Sequence, residues 1–281
     1  MKKKIDSIIR RVVDWKEPYI ETVILVAVYI LVMRFNGVGM LELWLQNANE
    51  KETINTALYF FLIRWGNPAV AFATTIVVLG SIRKYNKESK LNKGNGYHNH
   101  YCLAYLYCRY VLGYNTCNLK LVPVPMQFKL VTHEVFSKYI YNEGIHSIDP
   151  EIDEVRITKR GDFKHTSYIN LVLADTFSIE TDQIPENVKG YPTIIIDRTI
   201  KRENTRYDSE NFVKKTIAEV RGLPNNITSI NVFGTLNPMN CYNIATEVFV
   251  TGGRTHIKHL YVFPQNQDEN WSFSSKSIKI Y

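Results

Sequence analysis

Two stretches within the first 83 residues are almost wholly apolar. Residues 19–35 read YIETVILVAVYILVMRF, and residues 57–82 read ALYFFLIRWGNPAVAFATTIVVLGSI. A helix needs about 20 predominantly apolar residues to cross a bilayer, with about 17 as the lower limit. The pattern therefore predicts a two-helix transmembrane region over residues 19–83. The alternative is a pair of buried core helices in a soluble protein.

The basic residues around these stretches are distributed unevenly. Lys and Arg are frequent before residue 19 and again between residues 83 and 93, whereas residues 36–56 contain only Lys51. Basic residues in short connections favour the cytoplasmic side of a membrane. The sequence therefore predicts a multi-pass protein of the inner (cell) membrane with its N- and C-termini in the cytoplasm.

The segments around the spans carry their own patterns. In residues 1–18, apolar residues recur at helical spacing among basic ones, which predicts an amphipathic helix on the membrane surface or an extension of the first span. Residues 84–96, KYNKESKLNKGNG, are polar and basic and predict a juxtamembrane linker. Residues 97–281 are numerous enough to form a domain with its own core.

Polar side chains within the second apolar stretch are candidates to line a pore. An ionisable residue at membrane depth is costly and therefore suggests a function, although an arginine near a helix end also reaches the membrane surface. Because two helices cannot enclose an aqueous path, a pore requires a homo-oligomer. The candidate pore-lining residues are Arg64, Asn67, Thr74 and Thr75.

The C-terminal region alternates short apolar stretches with helical patterns. Strands are predicted at residues 168–173, 193–196, 227–233 and 256–263, and helices at residues 129–140, 209–221 and 240–251. Strands that alternate with helices of this length indicate a mainly parallel sheet with right-handed crossovers. The predicted fold is therefore two transmembrane α-helices followed by a cytoplasmic α/β, Rossmann-like domain.

Ligands of open parallel sheets bind beyond the carboxyl ends of the strands. One of the loops expected there, residues 234–238, starts with glycine and enters a helix, and such loops offer backbone N–H groups to anions. Basic residues in a second loop are suited to phosphate. The alternative is an ordinary turn beside solvated arginines. The predicted ligand-binding residues are Asp175, Thr176, Arg198, Lys201, Arg202, Arg206, Gly234, Thr235 and Asn237.

Composition changes this picture little. The formal charge of +7 suits basic membrane flanks or an anionic ligand. The four cysteines fall in the predicted cytoplasmic region, where thiols stay reduced. Five residues suggest a zinc site but lack the paired C-x-x-C spacing, so neither a metal nor a cofactor is predicted. They are His98, His100, Cys102, Cys108 and Cys117.

Enzyme motifs are missing from the sequence. It contains no Walker A run, no G-x-G-x-x-G, no H-E-x-x-H and no G-x-S-x-G. Asp175 and Asp197 follow neighbouring predicted strands and leave a carboxylate pair as an alternative, but an aspartate at a strand end more often caps a turn. The sequence is therefore expected to belong to a protein that is not an enzyme.

Within residues 227–263, the stretch INVFGTLNPMNCYNIATEVFVTGGRTHIKHLYVF resembles the C-terminal half of SAVED and CARF domains. The likeness consists of a strand ending at Phe233, a loop with Pro238, a helix rising to Gly252-Gly253 and a strand ending near Tyr261. Two spans followed by such a domain resemble the membrane effectors of CBASS and Hailong-type antiviral defence systems.

The resemblance implies a sensor for a nucleotide or short oligonucleotide second messenger, which a partner nucleotidyltransferase makes. Binding of this messenger would control an ion channel or membrane disruption in antiviral defence. It reaches only the loop of residues 234–238, whereas Asp175 and Arg198 are predicted from the strand ends alone. Two alternatives remain open. One is a membrane-anchored scaffold that binds a protein partner, and the other is a membrane-anchored nucleotide-processing enzyme.

Overall fold

The computed structural model describes residues 15–35, 56–94, 96–149, 151–199, 206–250, 256–266 and 270–281, and for residues 56–64 it describes the backbone alone. Most of the predicted amphipathic segment therefore lies outside the described residues. The chain divides into two compact units. The first consists of Met1–Lys93 and Leu106–Asn115, and the second of Gly94–Tyr105 and Thr116–Tyr281.

Two long apolar helices dominate the first unit. Helix α1 spans Lys16–Phe35 and helix α2 spans Thr56–Asn86, and the two pack against each other. By length and composition, Lys16–Phe35 and Trp65–Asn86 are each able to cross a membrane, and few of their side chains are buried. The two apolar helices expected from the sequence are therefore present, and α2 continues through Pro68.

A buried polar cluster joins both helices to the segment Leu106–Asn115. The Glu21 carboxylate accepts hydrogen bonds from Asn86 Nδ2 at 2.9 Å and from the Tyr114 hydroxyl at 3.0 Å. Asn86 Nδ2 also donates to the Leu112 carbonyl oxygen at 3.0 Å. Because a buried charge is costly unless it accepts hydrogen bonds, the cluster specifies how the segment packs on the helix ends.

The other elements are shorter than α1 and α2. Helix α3, Cys102–Tyr110, begins in the second unit and ends in the first. The remaining α-helices are α4 Val124–Thr132, α5 Glu186–Lys189, α6 Glu210–Arg221 and α7 Pro238–Ile244, a 3₁₀ helix spans Thr181–Gln183, and a π-helix spans Ala245–Val250. The strands are β1 Lys90–Leu91, β2 Thr116–Asn118, β3 Lys138–Ile140, β4 His146–Ser147, β5 Val155–Arg160, β6 Tyr168–Ala174, β7 Thr193–Arg198, β8 Tyr207–Asp208, β9 Ser229–Gly234, β10 His259–Phe263 and β11 Ile278–Lys279.

A six-stranded sheet forms the centre of the second unit, in the order β11-β10-β9-β6-β7-β5. The four inner strands are parallel, and the two edge strands pair antiparallel to them. The predicted mainly parallel sheet is confirmed. Because β7 lies on one side of β6 and β9 lies on the other, the order in which strands are added to the sheet reverses between β6 and β9. In open α/β sheets such a reversal opens a crevice at the carboxyl ends of the strands.

Two predicted helices differ from the observed ones. The helix expected over residues 129–140 is wrong beyond Thr132, because Glu134 takes a positive φ of 48° and the chain then forms β3. The Tyr139 hydroxyl accepts from the Phe136 N–H and donates to the Leu130 carbonyl, so tertiary contacts select the turn. The helix expected over residues 240–251 is α-helical only to Ile244 and continues as the π-helix.

Candidate functional site

A cleft of about 570 Å³ opens at the carboxyl edge of the sheet in the second unit. Its floor comes from the residues that follow three parallel strands: Phe177 after β6, Leu236 after β9 and Pro264 after β10. One wall comes from residues 120–127, which connect β2 to α4 and begin that helix. The size lies within the range of small-molecule sites, about 300–1,000 Å³.

The cleft combines cationic and aromatic side chains. Lys120 and Arg206 line it, together with one carboxylate, Glu143, which accepts from Asn118 Nδ2 at 3.0 Å. Phe177 is 68% exposed and Trp271 is 56% exposed. Cations favour phosphate, and exposed aromatic rings provide surfaces on which bases stack. The lining therefore has the composition of a site for an anionic ligand with a planar group.

Two lining residues have strained backbones. Leu121 has a φ of 60° and Trp271 has a φ of 58°, in the left-handed region that side chains of this size rarely adopt. Residues held in such conformations concentrate at ligand-binding sites. Leu121 lies in the wall that leads into α4, and Trp271 lies in the segment after β10. Strained residues on both sides of the cleft support it as the functional site.

Gln127 supplies a buried polar group to the same wall. The residue is 2% exposed, and its Nε2 donates to the Val122 carbonyl oxygen at 2.7 Å. Among the described residues, no group donates to its Oε1. A buried acceptor without a donor is unfavourable by about 1–3 kcal/mol, so a ligand N–H group that reaches Gln127 would gain this energy.

Arg198 and Asp175, both predicted to bind ligand, instead bind each other inside the domain. Arg198 Nη1 donates to Asp175 Oδ1 at 2.8 Å, and Arg198 Nε donates to Asp153 Oδ1 at 3.1 Å. The side chains of all three residues are at most 2% exposed. The guanidinium is therefore occupied by carboxylates and is shielded from the solvent side of the sheet edge.

The second Asp175 oxygen organises the loop after β9. Asp175 Oδ2 accepts from the Asn237 backbone N–H, from Asn237 Nδ2 and from Asn240 Nδ2, all within 3.0 Å. Removal from water raises the pKa of Asp175, and the donors from Asn237 and Arg198 oppose that shift. The aspartate thus connects the end of β6 to the start of α7.

The predicted anion site at the start of α7 is occupied by the protein itself. Asn237 Oδ1 accepts from the N–H groups of Met239 and Asn240, which caps the helix. Thr176 Oγ1 donates to the Thr235 carbonyl at 2.6 Å, and Thr235 Oγ1 donates to the Phe177 carbonyl at 2.7 Å. These polar groups stabilise the loops that form the cleft floor.

The predicted site residues therefore fall into three groups. Thr176, Arg206, Gly234 and Thr235 line the cleft. Asp175, Arg198 and Asn237 lie in the buried network. Lys201 and Arg202 lie outside the described residues.

Sequence reasoning missed Lys120, Gln127, Phe177 and Trp271. Phe177 lies three residues after the end of β6, so the strand-end argument was able to include it. Lys120 and Gln127 come from a segment that precedes the central sheet, and Trp271 comes from the connection between β10 and β11. No local pattern connects them to the strand ends.

The predicted pore-lining residues lie on α2. The Oγ1 atoms of Thr74 and Thr75 donate to the carbonyl oxygens of Val70 and Ala71, one turn earlier. Asn67 is half-buried, whereas the Arg64 side chain lies outside the described part of the chain. The threonine hydroxyl protons are therefore used within the helix, and their oxygens still have acceptor capacity.

A family model matches residues 4–280, nearly the whole chain. Its description is SMODS- and Ubiquitin system-associated 2TM effector domain, abbreviated SUa-2TM. The chain belongs to the SUa-2TM effector family. Membership confirms the two-transmembrane effector recognised from the sequence and associates the protein with the membrane. No curated protein sequence matches the chain significantly.

Two similar solved structures are of the Acinetobacter baumannii Cap4 SAVED/CARF-domain containing receptor. The complex with 3'3'3'-cAAA has a TM-score of 0.40 and 9% sequence identity, over 63% of this chain and 40% of that chain. The complex with 2'3'3'-cAAA has a TM-score of 0.39 and 9% identity, over 63% and 41%. This SUa-2TM chain thus matches about two fifths of the receptor's length, and the cyclic trinucleotides are ligands of that receptor.

Proposed function

We propose that this SUa-2TM effector binds a nucleotide or short oligonucleotide in the cleft at the carboxyl edge of its sheet, and that the bound ligand controls a pore formed by several copies of its spans in antiviral defence. The cleft carries the proposal, since cations, exposed aromatic rings and an acceptor without a donor converge there. The association with SMODS in the family description supports a partner nucleotidyltransferase as the source of the ligand.

Each part of such a ligand has a counterpart in the cleft. Lys120 and Arg206 are suited to phosphate oxygens, and Trp271 and Phe177 offer ring faces to bases. Gln127 Oε1 is suited to an exocyclic amine, which adenine, cytosine and guanine have and uracil lacks. We therefore expect a ligand with at least one amino-bearing base.

The lining favours binding over turnover. Among the described residues that line the cleft there is no Cys, His or Asp, and its titratable side chains are Lys120, Tyr97 and Glu143. Glu143 already accepts from Asn118, and we assign Lys120 to phosphate, whereas general acid–base catalysis requires a titratable group held at the reacting atom. The expected outcome is a nucleotide that binds and is recovered intact.

Calorimetry on the full chain in lipid nanodiscs, with a panel of cyclic and linear oligonucleotides, tests the ligand. Lys120→Ala and Arg206→Ala are each expected to weaken binding about tenfold or more, because charge-assisted hydrogen bonds contribute about 1.5–3 kcal/mol. Trp271→Ala is expected to lose about 1–3 kcal/mol of stacking. The matched control is Lys164→Ala, an exposed cation on the loop that enters β6 at the opposite end of the strand.

Binding that is unchanged in the Lys120 and Arg206 variants, or equally weakened by Lys164→Ala, would place the ligand elsewhere. A ligand consumed by the isolated protein would favour the nucleotide-processing enzyme. The absence of any binding across the panel would leave the membrane-anchored scaffold as the better function.

We further propose that both termini face the cytoplasm and that Arg64, Asn67, Thr74 and Thr75 line the pore. The exposed apolar side chains on α1 and α2, such as Val23, Leu31 and Val77, supply surface for lipid and for neighbouring copies. Ligand binding would shift the population between closed and open assemblies. Ion flux through liposomes should therefore depend on the ligand.

Two substitutions at Thr75 test the pore. Thr75→Lys is expected to reduce cation flux severalfold because it places a positive charge on the permeation path, whereas Thr75→Val removes only a hydroxyl and should have a small effect. Ligand-dependent flux that is identical in both variants would exclude Thr75 from the path. Flux that never responds to ligand would contradict the proposed control.

A further inference from the structure

Helix α3 consists of apolar and aromatic residues apart from one arginine and two cysteines of weak polarity. Its sequence, CLAYLYCRY, contains one charged residue, Arg109. Tyr105 and Cys108 on one face are at most 1% exposed, whereas Leu103 and Tyr110 on the opposite face are 77% and 64% exposed. Leu103 and Tyr110 are seven residues apart and therefore share a side of the helix. A helix that is hydrophobic all round is normally covered all round, so a partner is expected on the exposed face.

Contacts within the first unit show which parts of α1 and α2 lie beside the end of α3. The Tyr107 hydroxyl lies 3.0 Å from Thr22 Oγ1, in the second turn of the membrane helix α1. The neighbouring α1 side chains Ile20 and Val23 are 56% and 66% exposed, as lipid-facing residues are. The second half of α3 therefore lies beside a part of α1 whose apolar side chains already require lipid.

The other membrane helix contacts the same end of α3. Arg83, in the last turn of α2, donates from Nη1 to the Tyr110 carbonyl at 2.5 Å and to the Val111 carbonyl at 2.9 Å. Tyr85 and Lys84 in that turn are exposed. The end of α3 is thus held at the ends of both spans, where the bilayer meets water.

The exposed side chains suit this boundary. Tyrosine is enriched at membrane interfaces because its ring is apolar and its hydroxyl reaches water or headgroups. Exposed lysines such as Lys84 and Lys87 are attracted to anionic headgroups. A soluble partner is not needed to explain the apolar face, since the membrane is already adjacent to it.

We propose that α3 is an interfacial helix, whose face carrying Leu103 and Tyr110 lies against the boundary between lipid headgroups and acyl chains. The contacts that carry the proposal, from Tyr107, Tyr110 and Val111 to α1 and α2, lie within the first unit. This proposal is independent of the ligand, and the rival occupant of the face is a second copy of the chain.

Tryptophan quenching by brominated lipid tests the proposal. The full chain carrying Leu103→Trp or Tyr110→Trp is reconstituted in phosphatidylcholine vesicles with and without bromine on the acyl chains, and the parent protein's own tryptophan emission is subtracted. Bromine is expected to quench the added tryptophan at least twofold at both positions. The matched control is Ile152→Trp, an exposed apolar position (52%) in the second unit, which should be quenched little.

Each other outcome overturns the proposal. Tryptophans at residues 103 and 110 that resist brominated lipid but are protected from aqueous acrylamide would indicate a second protein chain. Tryptophans that acrylamide quenches freely would indicate a face in water. Bromine quenching at residue 152 that equals the quenching at residues 103 and 110 would show that contact with lipid is not specific to α3. Two independent exposed positions guard against the failure of one variant to fold.

Discussion

The Arg198 guanidinium and the Asp175 carboxylate lie 2.8 Å apart in the interior of the α/β unit, with side chains 2% and 0% exposed. The pair connects the end of β7 to the end of β6. Asp175 then connects through Asn237 to the loop after β9. The two residues thus shape the floor of the cleft without facing it.

Loss of the Arg198 charge should destabilise the α/β unit. Arg198→Met leaves Asp153 and Asp175 buried without their shared cation, and breaking a buried ion pair from one side costs about 3–5 kcal/mol. Urea unfolding of the full chain in detergent, followed by far-UV circular dichroism, measures the loss. Lys214→Ala, which removes an exposed pair with Glu210, should change the stability by about 0.5 kcal/mol or less. An Arg198→Met variant that remains stable but no longer binds the ligand would show that Arg198 contacts the ligand.

The hydroxyl of Tyr114 should stabilise the first unit. Tyr114→Phe removes the donor to Glu21 Oε1 at 3.0 Å, and a buried carboxylate that loses a donor costs about 1–3 kcal/mol. The apparent Tm in detergent should fall by several degrees. Tyr85→Phe, at a position 67% exposed, removes the same atom from a tyrosine near the helix end and should leave Tm unchanged. Equal effects of the two substitutions would contradict the role of the buried cluster.

Gly113 should not tolerate a side chain. It has a φ of +85°, and an added Cβ would lie 3.0 Å from Cβ and Cγ of Arg83 and 3.1 Å from its Cα. Gly113→Ala is therefore expected to lower Tm and to loosen Leu106–Asn115 from α2. At Gly80, within α2, a Cβ would meet nothing within 4 Å, so Gly80→Ala should be neutral or slightly stabilising. A neutral Gly113→Ala would show that the segment packs differently.

The four thiols should react with maleimide in a defined order. Cys102 is partly exposed, whereas Cys108, Cys117 and Cys241 are buried. Burial and the nearby Glu21 charge raise the pKa of Cys108 to about 12. The thiolate is the reactive form, so Cys108 should stay unlabelled even at pH 9.

Mass spectrometry of the labelled native protein should therefore find Cys102 modified first. Labelling after denaturation in SDS is the control, and it should modify all four thiols. Rapid native labelling of Cys108 would contradict the packing of the segment Leu106–Asn115.

The order of the four inner strands and of helices α6 and α7 was predictable because each of these elements follows from a local pattern. YINLVL is apolar apart from Asn170, TIII is apolar after Thr193, and the two runs form β6 and β7. Ser209 precedes a helical pattern, and its Oγ accepts from the Phe212 N–H as the N-cap of α6. Four such strands separated by helical segments are enough to imply a parallel sheet, since parallel strands require crossover connections.

The predicted ligand residues Asp175 and Arg198 show where local reasoning ends. An aspartate and an arginine at strand ends are equally able to bind a ligand or to pair with each other. Only the burial of both side chains, together with that of Asp153, shows that they pair with each other. Asp153 lies two residues before β5 and carries no motif that would connect it to β7.

The amino-acid sequence by itself determined the two apolar helices, the mainly parallel sheet and the edge of that sheet at which a cleft forms, because hydrophobic periodicity and strand direction act within or between neighbouring segments. Only the tertiary structure decided that Lys120, Gln127 and Trp271 line the cleft, while Arg198 and Asn237 stabilise its floor from the interior. The physical reason is that the orientation of a polar side chain depends on which distant groups compete to pair with it, and for Arg198 and Asn237 only folding brings those groups together, from Asp153 to Asn240.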